Sequence, residues 1–352
     1  MQLRPGAVPG RVAGGAWGIT ADHRVAVDAL LLDAVLRSAP TLAGPAARVL
    51  SGGKRLRPGV TIAAAGWQAA DTVAPNVLAA ATAVELLHWA TLVHDDVIDG
   101  ARSRHGQPTL NAREGVGQAI VTGDLLIGAA FDLGSRVGAD VVRCLAQTLT
   151  DLCVGQARED SHRFDAGADE DDVLAVASGK TGSLLAAAAR IGGHCAAVGP
   201  PVLDALSDFG MAFGISLQLL DDVLDLVSSS VLLGKPVGSD FVEGTITLPT
   251  VYAMRSHPQL REFLRPGLRS GDGPRALDLL RDPDALRHSL RQARHHAERA
   301  EAILSSVAGA DRELHALARW PVAYLDHQLA TMVDPSWQPL LTTARVGRRL
   351  SV

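Results

Sequence analysis

The chain has 352 residues, 47% hydrophobic and 20% charged, a balance that suits one large core or two domains and excludes a disordered or fibrous chain. The net charge of −5 excludes the basic footprint of a nucleic-acid binder. Aromatics are only 4% while Ala, Leu, Val and Gly abound, which favours closely packed helices over a β-sandwich.

Residues 1–20 read as a flexible lead with Pro5, Pro9 and several glycines, and without the apolar stretch of a signal peptide. Val25, Val27, Leu30, Leu31 and Val35 recur at helical spacing and predict a first amphipathic helix over 21–36, with a break at Pro40 and Gly44. Then comes Ser51-Gly-Gly-Lys-Arg-Leu-Arg-Pro58. It is either a charged helix start, with Pro58 tolerated in the first turn, or an anion site. In the second reading Lys54 and Arg57, three apart, offer a point charge and a planar fork to phosphate.

Residues 75–99 form a long apolar run, a helix of about 37 Å at 1.5 Å per residue, stopped by Gly100. It closes on Asp95-Asp96-Val97-Ile98-Asp99. Asp95 and Asp99 are four apart and share a face, while Asp96 points about 100° away. Carboxylates packed at the end of an apolar helix repel one another and resist burial, so they need a reason. A second such cluster, Asp221-Asp222-Val223-Leu224-Asp225, closes the apolar run 201–220. One cluster alone is as well read as a solvated helix end. Two, each ending a long apolar helix, point to opposed sets of hard oxygen ligands for Mg2+, which binds diphosphate while keeping part of its water shell. His88 lies two turns before Asp95 on the same side; it is a core histidine or, in the reading favoured here, a substrate contact.

After the first cluster, Arg102, Arg104 and His105 either balance its charge or grip a diphosphate. A helix over 117–131 follows, with Asp124 set in apolar sequence and read as structural. Another spans 139–157, then an acidic loop over 160–172. The next helix carries Ser178-Gly-Lys180-Thr181-Gly182, which lacks the glycine spacing of a Walker A loop. Lys180 in that apolar setting needs an anion, either a carboxylate of an aspartate cluster or a substrate phosphate. Gln218 lies three before Asp221 and on its face, and Lys235 follows the second cluster. From 247 to 330 the pattern stays helical, with a loop at 267–273 and a charged, solvated helix over 292–303; the tail, 345–349, is basic.

Cys144, Cys153 and Cys195 have neither zinc nor disulfide spacing, which predicts a reducing, cytoplasmic setting. No run reads as a charge-free membrane span, since the longest are interrupted by Glu85, His88 or Arg190, so stable membrane insertion is not expected. The predicted fold is all-α: a single-domain bundle of ten or more helices around a central cavity, over 21–340, between the lead and a basic tail at 341–352.

Seven segments occur in the order of a known family: GGKRLRP (52–58), ELLHWATLVHDDVID (85–99), a truncated RRGxPTxN (104–111), GD (123–124), GKTGSL (179–184), LQLLDDVLD (217–225) and GKPVGSDFVEGTITLP (234–249). By these the chain resembles the trans-isoprenyl diphosphate synthases of the polyprenyl synthetase family. The resemblance implies a helical bundle with the isoprenoid synthase fold, usually a homodimer, with three Mg2+ held between the clusters. Asp95, Asp99 and Asp221 match the main metal ligands, with Asp96, Asp222 and Asp225 in support. Arg104, Lys180, Thr181, Gln218 and Lys235 match residues that hold the allylic diphosphate. Lys54, Arg57 and His88 match those that hold isopentenyl diphosphate, and His105 stands on that side too.

Two departures from the family pattern stand out: His105 in place of a second arginine, and Thr245 in place of lysine in the segment Glu243-Gly-Thr-Ile-Thr-Leu-Pro249. Each loses a cation, His105 being only partly charged near neutral pH. Weaker diphosphate binding follows, which supports a rival reading as a synthase-like terpene cyclase acting on a single allylic diphosphate. A third reading, a non-catalytic partner subunit of a heteromeric synthase, sits badly with two intact aspartate clusters. Ala90 and Thr91, below Asp95, are small, which predicts a product of twenty carbons or more.

Overall fold

The structure is a computed structural model that describes residues 19–66, 72–104, 106–267, 271–309 and 311–338. Most of the expected N-terminal lead, His105, part of the expected loop at 267–273 and the basic tail lie outside the described residues.

Helix α1 (Ala21–Ser38) starts where the Thr20 hydroxyl accepts from the backbone N–H of His23 at 3.1 Å, and it buries Val27, Leu31 and Val35. Val25, expected on the same apolar face, is exposed. The break expected at Pro40 and Gly44 is a single 3-10 turn (Pro40–Leu42) leading straight into α2 (Ala43–Val49), because Gly44 and Pro45 fall in a first turn, where proline is harmless. Then follow α3 (Leu56–Ala64) and α4 (Pro75–Ile98), the latter opened by proline and closed by Gly100 at φ 62°. A hairpin of two-residue strands, β1 (Ser103–Arg104) antiparallel to β2 (Gln107–Pro108), is the one sheet among the described residues. It leads to α5 (Leu110–Glu114), α6 (Val116–Val137) and α7 (Ala139–Ser161). Helix α7 runs past the expected end at 157, through Glu159, and takes in the first two residues of the supposed acidic loop.

Helix α8 (Glu170–Ala177) begins at a reciprocal cap between Asp169 and Asp172. It passes through a π turn (Ser178–Gly182) into α9 (Ser183–Cys195). Helix α10 (Pro200–Val227) is the longest and carries the second aspartate cluster. Short helices α11 (Ser230–Leu233), α12 (Ser239–Glu243), α13 (Leu248–Ser256), α14 (Leu260–Phe263) and α15 (Asp272–Leu280) follow. Helices α16 (Pro283–Val307), α17 (Arg312–Ala318) and α18 (Trp320–Thr331) complete the bundle.

The packing centres on α9, which touches α3, α4, α7 and α10 and so holds α4 and α10 on either side of itself. Backbones meet closely where glycine allows it. A Cβ on Gly155 of α7 would lie 2.8 Å from the backbone of Gly179, and one on Gly214 of α10 would lie 2.5 Å from Cα of Gly182. The small-residue composition thus becomes tight crossings on both sides of the π turn. Fully buried Leu86, Leu87, Leu184, Leu185, Phe209 and Phe213 form the centre of the core, each contributing about 1.5–3 kcal/mol of burial.

One expectation needs correction. The charged segment 292–303 is the middle of α16 and is not solvated all round: Leu286, Leu290, Ala293, Ala297, Ala300 and Leu304 form a buried stripe against α10. That stripe is rich in alanine, so the flanking charges hide it in the sequence. Helices α4 and α6 are both long and apolar enough to cross a membrane by composition, although neither is charge-free: α4 contains Glu85 and α6 contains Asp124. The apolar window of α4 is 67% buried and serves as core, whereas that of α6 is only 39% buried.

Candidate active site

The C-terminal end of α4 presents Asp95 and Asp99 on one side and buries Asp96 on the other. Asp96 Oδ1 accepts from both Nε and Nη2 of Arg104 at 2.9 Å. The Asn111 side chain donates to the carbonyls of Asp96 and Ala101 at 3.0 Å, which ties the hairpin to the helix end. Asp96, expected in support of the metal ligands, thus has its carboxylate paired with Arg104 in the structure. Asp99 accepts from Nη2 of Arg163 at 2.6 Å. Burial pushes the Asp95 carboxyl up to about 6, against the pull of nearby Lys180.

Lys180 pairs with Glu159 of α7 in a close contact. Burial works to lower its pKa, but Glu159 and then Asp95 outweigh it and raise it, so Lys180 is a firm cation. Its hydrogen-bonded carboxylate is Glu159, just ahead of the stretch 160–172 read as loop, with Asp95 of the first cluster acting on it as well. The π turn supplies the placement, since its wider backbone ring bulges the helix where Lys180 sits. Thr181 is buried and donates to Gln218 Oε1 at 2.7 Å, and Gln218 Nε2 donates to Asp222 at 2.9 Å. Gln218 thus serves the buried middle aspartate rather than Asp221, whose face it was expected to share.

On α10, Asp221 is open to solvent, while Asp222 and Asp225 are buried. Surrounding protein pushes the Asp221 carboxyl up to about 6, with Lys54 pulling it down; the water reaching this exposed group moderates that shift. Burial and then Asp240 hold Asp222 well above the carboxylate range. Burial and Asp240 likewise push Asp225 up to about 6. Lys235 bridges Asp225 at 3.0 Å and Asp240 at 2.7 Å; burial opposes its charge, but the two carboxylates raise its pKa. Ser239 and the backbone N–H of Asp240 also donate to Asp225. The ends of α4 and α10 both act on Glu243 of α12, which is raised first by burial, then by Asp240, by Asp99 of α4 and by Asp225 of α10.

The third cationic group comes from the glycine segment. Lys54 donates to Tyr324 Oη and Gln328 Oε1 of α18, both at 3.2 Å. Arg57 lies 3.1 Å from His88 Nε2, and burial followed by the Arg57 charge keeps His88 well below its ordinary pKa, hence neutral and accepting. Burial also lowers Arg57, which Glu85 and Asp221 partly restore. Between these two, Arg55 is not a ligand group. It adopts φ 55°, is buried, and pairs with Asp28 at 2.7 Å and Glu85 at 2.9 Å. Trp89 Nε1 also donates to Glu85 at 3.1 Å. Of three neighbouring cations, the middle one builds the wall and the outer two face the site.

Asp124, read as structural, is exposed on α6, 3.6 Å from His94. Ala90 has no exposed surface, whereas Thr91 is partly open in line with His88 and Asp95. Of the two small residues read as the floor, Ala90 is packed in the core and Thr91 is the one partly open. Glu159, Arg163 and Tyr324 are site residues that the sequence reading missed, and Asp240, inside the quoted segment 234–249, was given no role; Glu159 and Arg163 lie in a stretch of frequent charge, where nothing distinguishes one acid or base from another.

Residues 39–276 match the family profile described as Polyprenyl synthetase. The chain belongs to the polyprenyl synthetase family. It is a prenyltransferase of the isoprenyl diphosphate synthase type. It is 36% identical over 307 residues to a nonaprenyl diphosphate synthase of Mycobacterium tuberculosis, covering 83% of this chain and 90% of that protein. It is 39% identical over 219 residues to a geranylgeranyl diphosphate synthase of Methanosarcina mazei, covering 60% of this chain and 67% of that one. Among solved structures, a polyprenyl synthase of Caulobacter crescentus, crystallised with calcium and isoprenyl diphosphate, superposes with a TM-score of 0.77 at 33% identity. That match covers 86% of this chain and 94% of the Caulobacter chain.

Proposed function

We propose that this enzyme joins isopentenyl diphosphate to an allylic diphosphate and releases a polyprenyl diphosphate of C20 or longer. The observation that carries this reading is the pair of aspartate-ended helices, α4 and α10, rimmed by Lys54, Arg57, Arg104, Lys180 and Lys235. The names of the relatives support the product range, since they include nonaprenyl and geranylgeranyl synthases. The two rival readings are weaker. A terpene cyclase would have no use for the Lys54–Arg57–His88 group, and a non-catalytic subunit no use for six clustered aspartates.

The donor set fits Mg2+. Every candidate ligand is a hard carboxylate oxygen, and Asp95 and Asp221 carry raised pKa values that a cation would relieve. Among the described residues no three carboxylate, His or Cys groups gather into a ready-made cage. That agrees with an ion that keeps its waters and is completed by substrate phosphates. Asp95, Asp99 and Asp221 would hold it directly, with Asp225 in support and three ions in all. Bound there, Mg2+ would stabilise the charge that builds on the departing diphosphate.

This chain's own groups do the rest. Lys180, Arg104 and Lys235 bind the allylic diphosphate and share the stabilisation of the leaving group. Lys54, Arg57 and neutral His88 hold isopentenyl diphosphate, its double bond aimed at the allylic carbon. The apolar walls exclude water from the carbocation. The released diphosphate, already beside the new bond, takes the final proton, so no side-chain base is required. Homodimerisation is proposed through α6, which exposes Val116, Ile120 and Val121, and through adjoining α1 with exposed Leu32 and Leu36. The setting proposed is cytoplasmic and reducing, supported by three free cysteines.

Asp95→Asn and Asp221→Asn test the assignment. Each is expected to lower turnover on the order of a hundredfold or more, with helical circular dichroism unchanged. Retained turnover in both would overturn the metal roles.

A further inference from the structure

One cation at this site belongs to no motif. Arg163 sits in the turn between α7 and α8, and its Nη2 donates to Asp99 at 2.6 Å. Its Nε–H, on the same edge of the guanidinium, is buried with no hydrogen-bond partner. A buried donor left unmade is costly, so this edge is built for an acceptor that offers two oxygens, and Asp99 uses half of it.

The turn is also held in place. Phe164 adopts φ 60°, and its N–H donates to the carbonyl of Gly244 at 2.9 Å. A Cβ on Gly244 would lie 2.5 Å from the Phe164 ring, so only glycine lets the ring close over this point. The latch fastens the Arg163 turn to the segment just before Thr245, the uncharged residue that follows the second cluster. Glu243, Asp240 and Asp99 crowd the same end. Arg163 thus brings a second cation, besides Lys235, to an acidic corner to which residue 245 adds none.

We propose that Arg163 holds Asp99 in the metal-free enzyme and passes to the diphosphate when Asp99 takes up metal, so that it acts as a further diphosphate-binding and positioning residue. The proposal rests on the Mg2+–diphosphate reading of the site. The exchange needs no large motion: the guanidinium keeps its anchor in the latched turn and trades a carboxylate oxygen for phosphate oxygens, with both edge donors satisfied.

The test compares wild type with Arg163→Gln, Arg163→Lys and Asp99→Asn. Mn2+ binding to substrate-free protein is followed by electron paramagnetic resonance, and inorganic diphosphate binding in saturating Mg2+ by calorimetry. With its competitor removed, Arg163→Gln is expected to bind Mn2+ roughly three- to tenfold more tightly, while binding diphosphate about tenfold more weakly. Arg163→Lys keeps the charge but not the fork, and should return Mn2+ affinity towards wild type while diphosphate binding stays intermediate. General damage to the fold would weaken both, so tighter Mn2+ binding separates the proposal from a structural role. Unchanged or weaker Mn2+ binding in Arg163→Gln, with Asp99→Asn impaired, overturns the role of Arg163 and leaves the metal reading standing. If Asp99→Asn binds Mn2+ like wild type, the metal reading fails and this proposal with it.

Discussion

Asp95 is the most informative single residue, because burial holds its carboxyl near pH 6 while Lys180 and Asp99 pull in opposite directions. A carboxylate whose folded pKa lies above its unfolded value binds more protons when folded. Its contribution to stability therefore falls as pH rises from the unfolded value, 3.8, towards about 6. Metal uptake must displace that proton, so Mg2+ affinity is expected to climb between about pH 5 and about pH 7 and to level off above. Calorimetry across this range checks the expectation, and an affinity flat with pH would mean that Asp95 is not a ligand. The six aspartates are legible in the sequence because acids at the end of an apolar run break its pattern. Glu159 and Arg163 are not, since both fall in a stretch where charge is frequent and each side chain reads as solvated. Arg55 misleads in the same way: only the fold reveals that Asp28 and Glu85 enclose it.

Among the elements, α4 and α10 are readable from their length, apolarity and acidic ends, and both begin at prolines. The π turn is not, because Ser178–Gly182 has ordinary helical composition and its register comes from contact with Gly155 and Gly214. Gly179→Ala would set a Cβ 2.7 Å from Cα of Gly155. It is expected to destabilise by about 1–3 kcal/mol in urea unfolding and to disturb Lys180 with it; wild-type stability would mean that the crossing has slack. On α4, Thr91→Phe is expected to shorten the product, since Thr91 is partly open in line with Asp95. Ala90→Phe, by contrast, overfills the core and should chiefly lower the melting temperature. An unchanged product from Thr91→Phe would set the limit to chain growth deeper in the bundle.

For the whole molecule, the all-helical class follows from small aliphatic composition and the want of strand alternation. The pairing of helices around α9 does not, because nothing local says which faces meet. Helix α6 leaves much of an apolar surface uncovered, and a second copy of the chain is its proposed cover. Ile120→Arg with Val121→Glu is expected to shift the protein from dimer to monomer in sedimentation velocity; an unaltered coefficient would place any interface elsewhere. The central claim concerns the reaction itself. Purified protein with Mg2+ would be given geranyl, farnesyl or geranylgeranyl diphosphate, each with and without isopentenyl diphosphate, and the products weighed by mass spectrometry. Longer diphosphates, C20 or above, formed only when isopentenyl diphosphate is present are the predicted result. A hydrocarbon or terpene alcohol formed from the allylic substrate alone would contradict it and make the enzyme a cyclase.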